Sequence, residues 1–352
     1  MRGLLRLTGT LAVAALLLLV VAALVGRRLP RGPQLAYVSW TPDTAPRYPH
    51  RLMLYDVRRS LAQPLFMLDA MPNGLSWSPD GKTLAYHLQT MPNTVFLFDA
   101  QTRQTQAIAA TPDDIGPGYF AWSADSEQIA LVNAPNSGTW DTFVLDVATG
   151  QARNVTPLPL DQWNPLWSPV DADTLLVQSS GGQVLLLNTA TGDSQARQTV
   201  LSNRYPARYR WSADGEAIYM ISRGASDIVV QRGGEPIQRF PVSLPSNWGH
   251  RNNLSFSPDG TWLVTVTASS QSNDLTLFNL ASDEQKPLAD HPTVDEREPR
   301  WSPDGRFIAY TADFNGNTDL VLYDGAHDRH QRLFAPITHE VEPLWRPVGG
   351  GH

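Results

Sequence analysis

The side chains best suited to chemistry in this sequence lie a few positions before a recurring aromatic residue. They are Trp163, Asn164, Tyr209, Trp248, His250, Arg251, Glu298, His339 and Glu342. This mixture of aromatic, cationic and anionic groups suits recognition of a polar ligand or a peptide end, if the fold brings them together. His250 and His339, with nearby carboxylates, are possible metal ligands. A His in a loop is more often merely solvated, so we expect no metal site and no cofactor.

The recurring aromatic residue divides the chain into units of nearly constant length. It is Trp77, Trp122, Trp167, Trp211, Phe256, Trp301 and Trp345, so the steps are 45, 45, 44, 45, 45 and 44 residues. A period of this size, with four short apolar runs per unit, is typical of a β-propeller blade. We expect these seven aromatics to be structural, because a large ring buries about 150–250 Å² between adjacent sheets.

The two ends of the repeat region complete each other. The first unit begins with a segment that matches the second strand of later units: Leu35-Ala36-Tyr37-Val38 corresponds to Ile308-Ala309-Tyr310-Thr311. The last unit ends on a first strand, Pro343-Leu344-Trp345. Pairing these two strands would protect both edges of an otherwise open ring. The sequence therefore predicts an all-β, seven-bladed propeller over residues 34–347, followed by a tail at 348–352. Six or eight blades are the alternatives.

An apolar segment precedes the repeats. Leu7–Val25 is 19 residues long and contains nothing more polar than threonine. As a helix it would cover about 28 Å, close to the hydrocarbon thickness of a bilayer. We predict a short tail at 1–6, a transmembrane anchor at 7–26 and a stiff linker at 27–33. A signal peptide is the competing interpretation, although its apolar region is usually shorter.

Charge and composition exclude several classes of partner and chemistry. Five arginines flank the apolar segment. The rest of the chain contains 22 Lys and Arg and 34 Asp and Glu, so its net charge is negative. This negative balance disfavours nucleic acid as a partner. The chain has no cysteine, which excludes disulfides and thiol catalysis. It also lacks a Gly-x-Ser-x-Gly elbow, a His-Glu-x-x-His motif and a Gly-rich phosphate loop, so we expect no catalytic residues.

The repeated Trp-Ser-Pro-Asp-Gly, followed by Ile-Ala-Tyr-like and Leu-Tyr-Asp-like strands, resembles the PD40 (WD40-like) propeller repeat of the TolB family. The resemblance implies an envelope-facing propeller that binds proteins or small ligands. TolB itself has a further N-terminal α/β domain and six blades, so we expect a TolB-like propeller that is not TolB.

These observations predict a non-enzymatic, single-pass protein of the bacterial inner membrane with its propeller in the periplasm. We expect it to serve as a protein-interaction or ligand-sensing platform whose partner is an envelope protein or a small polar ligand. Membrane orientation follows from the short N-terminal tail before the apolar segment, since the flanking charges are nearly balanced. The alternative function is a channel-mouth enzyme, such as a metal-assisted polysaccharide lyase or a hydrolase.

Overall fold

The computed structural model describes residues 32–41, 50–88, 94–109, 115–133, 140–156, 162–179, 184–191, 194–197, 208–221, 227–232, 238–241, 253–268, 272–282, 284–289, 291, 293–333 and 338–347. In this part of the chain, 28 strands form seven sheets of four strands each. Every sheet is an antiparallel meander, and each is one blade of a propeller. The predicted number of blades is confirmed.

The strands follow one another in chain order within each blade, except where the two chain ends meet. Blade 1 contains β1 (Gln34–Trp40), β2 (His50–Asp56), β3 (Leu61–Leu68) and β28 (His339–Trp345). Blade 2 contains β4 (Pro72–Trp77), β5 (Thr83–Leu88), β6 (Thr94–Asp99) and β7 (Thr105–Ala109). Blade 3 contains β8 (Ile115–Trp122), β9 (Gln128–Asn133), β10 (Asp141–Asp146) and β11 (Ala152–Asn154). Blade 4 contains β12 (Gln162–Trp167), β13 (Thr174–Ser179), β14 (Val184–Asn188) and β15 (Ser194–Arg197).

The remaining three blades repeat this arrangement. Blade 5 contains β16 (Arg208–Trp211), β17 (Ala217–Ile221), β18 (Asp227–Arg232) and β19 (Gln238–Pro241). Blade 6 contains β20 (Leu254–Phe256), β21 (Trp262–Ala268), β22 (Asn273–Asn279) and β23 (Gln285–Ala289). Blade 7 contains β24 (Asp295–Trp301), β25 (Phe307–Phe314), β26 (Asn317–Asp324) and β27 (Arg329–Arg332).

Blade 1 closes the ring with strands from both ends of the chain. In the antiparallel pair of β1 and β28, Leu35 lies opposite Trp345 and Ala36 lies opposite Leu344. This pairing is the one that the incomplete terminal repeats predict. The closing strand therefore covers the edge of β1 that would otherwise be free.

Apolar clusters at the blade interfaces hold the ring together. Each of the seven clusters among the described residues combines side chains from two neighbouring blades. At the last interface, Leu35 and Tyr37 of blade 1 pack against Ala309 and Leu322 of blade 7. Burial of this apolar surface is the main favourable contribution to folding, and it is distributed around the whole ring.

The turn from the first to the second strand of a blade has its own polar network. In blade 2 the Ser78 hydroxyl donates to Asp80 Oδ1 at 2.6 Å and accepts the Thr83 N–H at 2.9 Å, while Gly81 adopts a φ of 67°. The same Ser–Asp bond recurs at Ser123–Asp125, Ser212–Asp214, Ser257–Asp259 and Ser302–Asp304. These turns and those from third to fourth strands share one face of the disc, which we call the turn face. The opposite side is the loop face.

Most of the predicted N-terminal region lies outside the described residues. The predicted anchor at 7–26 and the tails at 1–6 and 348–352 lie outside the described residues, and of the linker only Gly32 and Pro33 are included. The described portion contains no helix of the length and apolarity that a bilayer crossing requires.

Candidate functional site in the central channel

The first strands of the blades surround a cavity on the axis of the ring. Its volume is about 630 Å³. Every blade contributes to its wall the residue that precedes the repeated aromatic: Ser76, Ala121, Leu166, Arg210, Ser255, Arg300 and Leu344. Two guanidinium groups and two hydroxyls thus lie in a largely apolar ring, a composition suited to orienting a polar ligand.

Several of the repeated aromatic residues form hydrogen bonds to the backbone of this wall. The indole N–H of Trp122 donates to the Ser76 carbonyl at 3.1 Å, that of Trp211 to Leu166 at 3.2 Å, and that of Trp345 to Arg300 at 2.9 Å. In each case the bond joins an aromatic of one blade to the channel residue of the preceding blade. The aromatic rings therefore pack between blades, and the residues before them face the axis.

A bulge in several first strands changes the direction of the residue three positions before the aromatic. Gly74, Asn164, Glu298 and Glu342 occupy this position, with φ values of 95°, 54°, 55° and 57°. The strand register shifts at the same points. A left-handed conformation costs a non-glycine residue on the order of 1–3 kcal/mol, and bulges of this kind redirect side chains at functional sites.

Two of the predicted site residues line the cavity. Asn164 lies in its wall, and its Nδ2 donates to Gln178 Oε1 at 3.1 Å. Tyr209 also borders the cavity, but its side chain is only 3% exposed and packs among apolar residues of blades 4 and 5. Burial raises the pKa of the Tyr209 phenol above its ordinary value. Asn164 therefore contributes a polar group to the cavity wall, whereas the Tyr209 ring supports the wall by packing between blades 4 and 5.

Two predicted carboxylates come together on the loop-face side of Arg300. The Glu342 N–H donates to Glu298 Oε2 at 3.1 Å. Burial lowers the pKa of the Arg300 guanidinium, and the charges of Glu298 and Glu342 oppose that effect. Glu298 and Glu342 therefore lie near Arg300 but outside the cavity wall itself.

The remaining predicted site residues are not part of this cavity wall as described. His339 stacks on Trp40 with ring centroids 4.4 Å apart, and its Nδ1 accepts the Thr318 N–H at 3.3 Å. It thereby links β28 to blade 7 on the loop face. Trp163 lies in β12 opposite Gln178. Trp248, His250 and Arg251 lie outside the described residues.

Sequence reasoning missed the two channel arginines. Arg210 and Arg300 directly precede a repeated aromatic, at a position that varies between Ser, Ala, Leu and Arg from blade to blade. This variation within an otherwise regular repeat was the available signal. A position that packs identically in every blade would tolerate less variety, because protein interiors are tightly packed.

A second cluster of ionisable groups is buried beside His339. Glu340 is 1% exposed, and its Oε1 accepts hydrogen bonds from Thr338 at 2.6 Å and from Ser39 at 3.4 Å. Burial raises the pKa of Glu340 to about 7; Asp319 adds to this effect, while the Thr338 and Ser39 bonds and Arg332 oppose it. Among the described residues, no group of three or more His, Asp and Glu is placed to hold a metal ion.

The TolB β-propeller domain family, PD40, matches residues 24–236 of this chain. The chain belongs to this family. A curated relative is the "Uncharacterized peptidase YuxL" of Bacillus subtilis, 25% identical over 158 residues. That match covers 44% of this chain but only 22% of the relative.

Two solved structures show the likeness in three dimensions. TolB from Acinetobacter baumannii is 20% identical, with a TM-score of 0.55 over 77% of this chain and 66% of that one. Oligogalacturonate lyase from Vibrio parahaemolyticus is 15% identical, with a TM-score of 0.62 over 79% of this chain and 85% of that one. At these identities the likeness concerns the fold alone.

Proposed function

We propose that this protein is a non-enzymatic, membrane-anchored propeller that binds an envelope protein or a small polar ligand on the extracytoplasmic side. The central channel is the binding site. The observation that carries this proposal is the cavity of about 630 Å³ whose wall takes one variable residue from each of the seven blades. A preformed concave site of this size, on a rigid scaffold, is the usual form of a ligand or peptide pocket.

The chemistry of the wall favours a ligand with both polar and apolar parts. Leu166 and Leu344 offer apolar surface, while Arg210 and Arg300 offer planar hydrogen-bond donors that suit carboxylates and peptide carbonyls. Glu298 and Glu342 place negative charge near Arg300, beyond the cavity wall. An extended peptide end would satisfy this arrangement better than a uniformly charged ligand.

Filling the cavity tests the binding site. Ala121→Phe places a large side chain in the channel wall, and Val170→Phe is the matched control because Val170 is 63% exposed in a turn. The full-length chain would be purified from membranes after chemical cross-linking, and its partners identified. We expect Ala121→Phe to lose specific cross-linked partners that Val170→Phe retains. If the two variants recovered the same partners in equal amounts, the channel would not be the binding site.

The anchored, extracytoplasmic arrangement needs its own test. Its support is the apolar run of Leu7–Val25 and the envelope role that the family suggests. Alkaline phosphatase fused after Gly351 should be active, and the fusion should stay with membranes after alkaline extraction. Activity of a reporter that works only in the cytoplasm, fused at the same position, would show the opposite orientation.

The alternative is a channel enzyme, and the fold likeness to oligogalacturonate lyase supports it. The same purified variants distinguish the two functions. Under the binding proposal, neither the wild type nor the Val170→Phe variant cleaves oligogalacturonate, with or without added divalent metal. Turnover that Ala121→Phe abolishes would establish the alternative instead.

A further inference from the structure

A second cleft lies on the turn face, between blades 7 and 1. It has a volume of about 240 Å³, and Arg58, Arg306 and Arg329 line it together with Tyr55 and Phe307. We call it the arginine cleft. Arg58 comes from the turn between β2 and β3, Arg306 precedes β25, and Arg329 begins β27. The cleft therefore exists only because the ring closes and brings the two ends of the propeller together.

The three guanidinium groups outnumber the acids around them. Within the part of the chain that the structure describes, none of the three forms an ion pair. The Arg306 guanidinium lies over the Phe307 ring, 5.5 Å from its centroid. Asp324 is the carboxylate in the cleft wall; it bonds to His327 at 2.8 Å and to the Ala326 N–H at 3.0 Å, and, against the opposing effect of burial, the charge of Arg306 helps to lower its pKa. The cleft is thus a concave, cationic surface.

The chain enters the propeller at this cleft. Pro33 is part of the cleft wall, and its carbonyl accepts the Val57 N–H at 3.0 Å. Only residues 26–31 separate Gly32 from the end of the apolar segment at Val25. Six residues of extended chain span at most about 20 Å. Insertion of Leu7–Val25 in a bilayer would therefore hold the arginine cleft close to the lipid headgroups.

The turn face is electrically uneven. Among the described residues, six exposed acids occupy its turns in blades 3 to 5, at Asp125, Glu127, Asp171, Asp173, Asp214 and Glu216. Fewer lie in the described turns of blades 6 and 7, including Asp259, Asp304 and Asp328. The arginine cleft lies in the opposite sector of the ring, at blades 7 and 1. Near an anionic membrane surface, such a distribution attracts one sector and repels the other. The propeller as a whole is acidic, whereas the wall of the arginine cleft, as described, carries three arginines and one acid, Asp324.

We propose that the arginine cleft docks on the anionic phospholipid headgroups of the membrane that holds the N-terminal segment, and so fixes the tilt of the propeller. This inference rests on the anchored arrangement proposed above. Arginine suits the partner because its planar fork donates paired hydrogen bonds to phosphate oxygens. The acidic sector is then turned away from the bilayer.

The absence of cysteine makes a single fluorescent label straightforward. Leu61 is 54% exposed and begins β3, close to the cleft but outside its wall. The full chain carrying Leu61→Cys would be labelled and incorporated in nanodiscs of phosphatidylcholine, alone or mixed with phosphatidylglycerol. Lipids with a quencher on the headgroup report how near the label lies to the surface.

We expect quenching about twofold stronger with phosphatidylglycerol, and we expect high salt to remove the difference, because screening weakens the attraction. Arg58→Gln, Arg306→Gln and Arg329→Gln together should reduce quenching to the phosphatidylcholine level. The matched control is Arg232→Gln, an exposed arginine in blade 5 that pairs with Asp214 and Glu216. It should leave the quenching unchanged.

The possible failures are distinguishable. A full chain that does not enter nanodiscs would refute membrane anchoring, and the docking inference would fall with it. A chain that enters nanodiscs but is quenched equally in both lipids overturns the docking inference alone. Docking is also refuted if the triple variant, shown to be folded by its unchanged melting midpoint, is quenched as strongly as the wild type.

Discussion

A motif tryptophan stabilises the ring through its apolar surface and, in some blades, through its indole N–H. Trp122 and Trp167 occupy equivalent positions and are 7% and 5% exposed, but only Trp122 donates its N–H, to Ser76, whereas the Trp167 N–H is buried without a partner. Substitution by Phe removes similar surface from both sites. We therefore expect Trp122→Phe to lower the free energy of unfolding by about 1 kcal/mol more than Trp167→Phe. Chemical denaturation measures the difference, and equal losses would contradict the role of the hydrogen bond.

Glu340 gives the fold a pH dependence of its own. Its pKa is about 7 in the folded chain, against an ordinary value of 4.5. Between these values the folded chain binds a proton that the unfolded chain has lost, so the free energy of unfolding falls as the pH rises. Burial also raises the pKa of Asp319, which acts in the same direction.

Glu340→Gln isolates this contribution, because the amide stays neutral at every pH. We expect the variant and the wild type to differ little near pH 4.5. At pH 8 the variant should be more stable by about 2–3 kcal/mol relative to that starting difference. Urea denaturation across this range supplies the measurement. Parallel curves for the two proteins would show that the pKa of Glu340 is the same in the folded and unfolded chains.

At the scale of the element, the Ser-Pro-Asp-Gly turn is not equivalent in every blade. Gly81 and Gly305 have φ values of 67° and 69°. A Cβ on Gly81 would lie 2.5 Å from the Pro347 carbonyl oxygen, whereas one on Gly305 would meet only Pro258, at 3.6 Å. The turn of blade 2 therefore packs directly against the end of the closing strand, where Arg346 also donates to the Gly81 carbonyl at 2.6 Å.

Alanine at these two glycines separates the backbone cost from the packing cost. Gly305→Ala should cost about 1–2 kcal/mol, because alanine disfavours the left-handed conformation. Gly81→Ala should cost about 1–3 kcal/mol more, since the backbone of the closing strand must also move. Thermal melting of both variants tests the comparison. If Gly81→Ala lowered stability no more than Gly305→Ala, the backbone at residues 346–347 would be able to move away from the new methyl group without loss of stability.

At the scale of the whole molecule, the pairing of β28 with β1 decides whether the ring is closed. Truncation after Pro336 removes β28, including the buried Trp345, and exposes an edge of β1. We expect a large fall in the melting midpoint or loss of folded protein, because the clusters at both interfaces of blade 1 lose members. Removal of residues 348–352 is the control and should leave the midpoint unchanged. An unaltered midpoint in the longer truncation would refute closure by β28.

The sequence revealed the ring more fully than the sites on it. The period of the aromatic residues gave the number of blades, and the complementary ends gave the strand that closes them, because both depend on local patterns that repeat. Asn164, Glu298 and Glu342 were recognisable as polar residues a few positions before a repeated aromatic, although the structure places them inside the first strands. Arg210 and Arg300 were not, since the position before each aromatic looks like ordinary strand.

The arginine cleft could not be predicted from local patterns at all. Arg58 belongs to the first described blade along the chain, whereas Arg306 and Arg329 belong to the last. Only tertiary closure makes them neighbours. Sites that combine residues from distant parts of a repeat are set by the geometry of the ring, and a motif search along the chain does not detect them.

The split blade also bears on how the protein is made. Ser39 of β1 bonds to Glu340, 301 positions later in the chain. During translation, β1 and β2 leave the ribosome before the strands of blades 2 to 7, yet the edge of β1 that β28 covers stays unpaired until β28 emerges. Unpaired strand edges and incomplete cores are what chaperones protect and proteases attack. A nascent chain that stops early at any point before β28 is therefore left as an open arc, so quality control can recognise an incomplete product by its exposed edge.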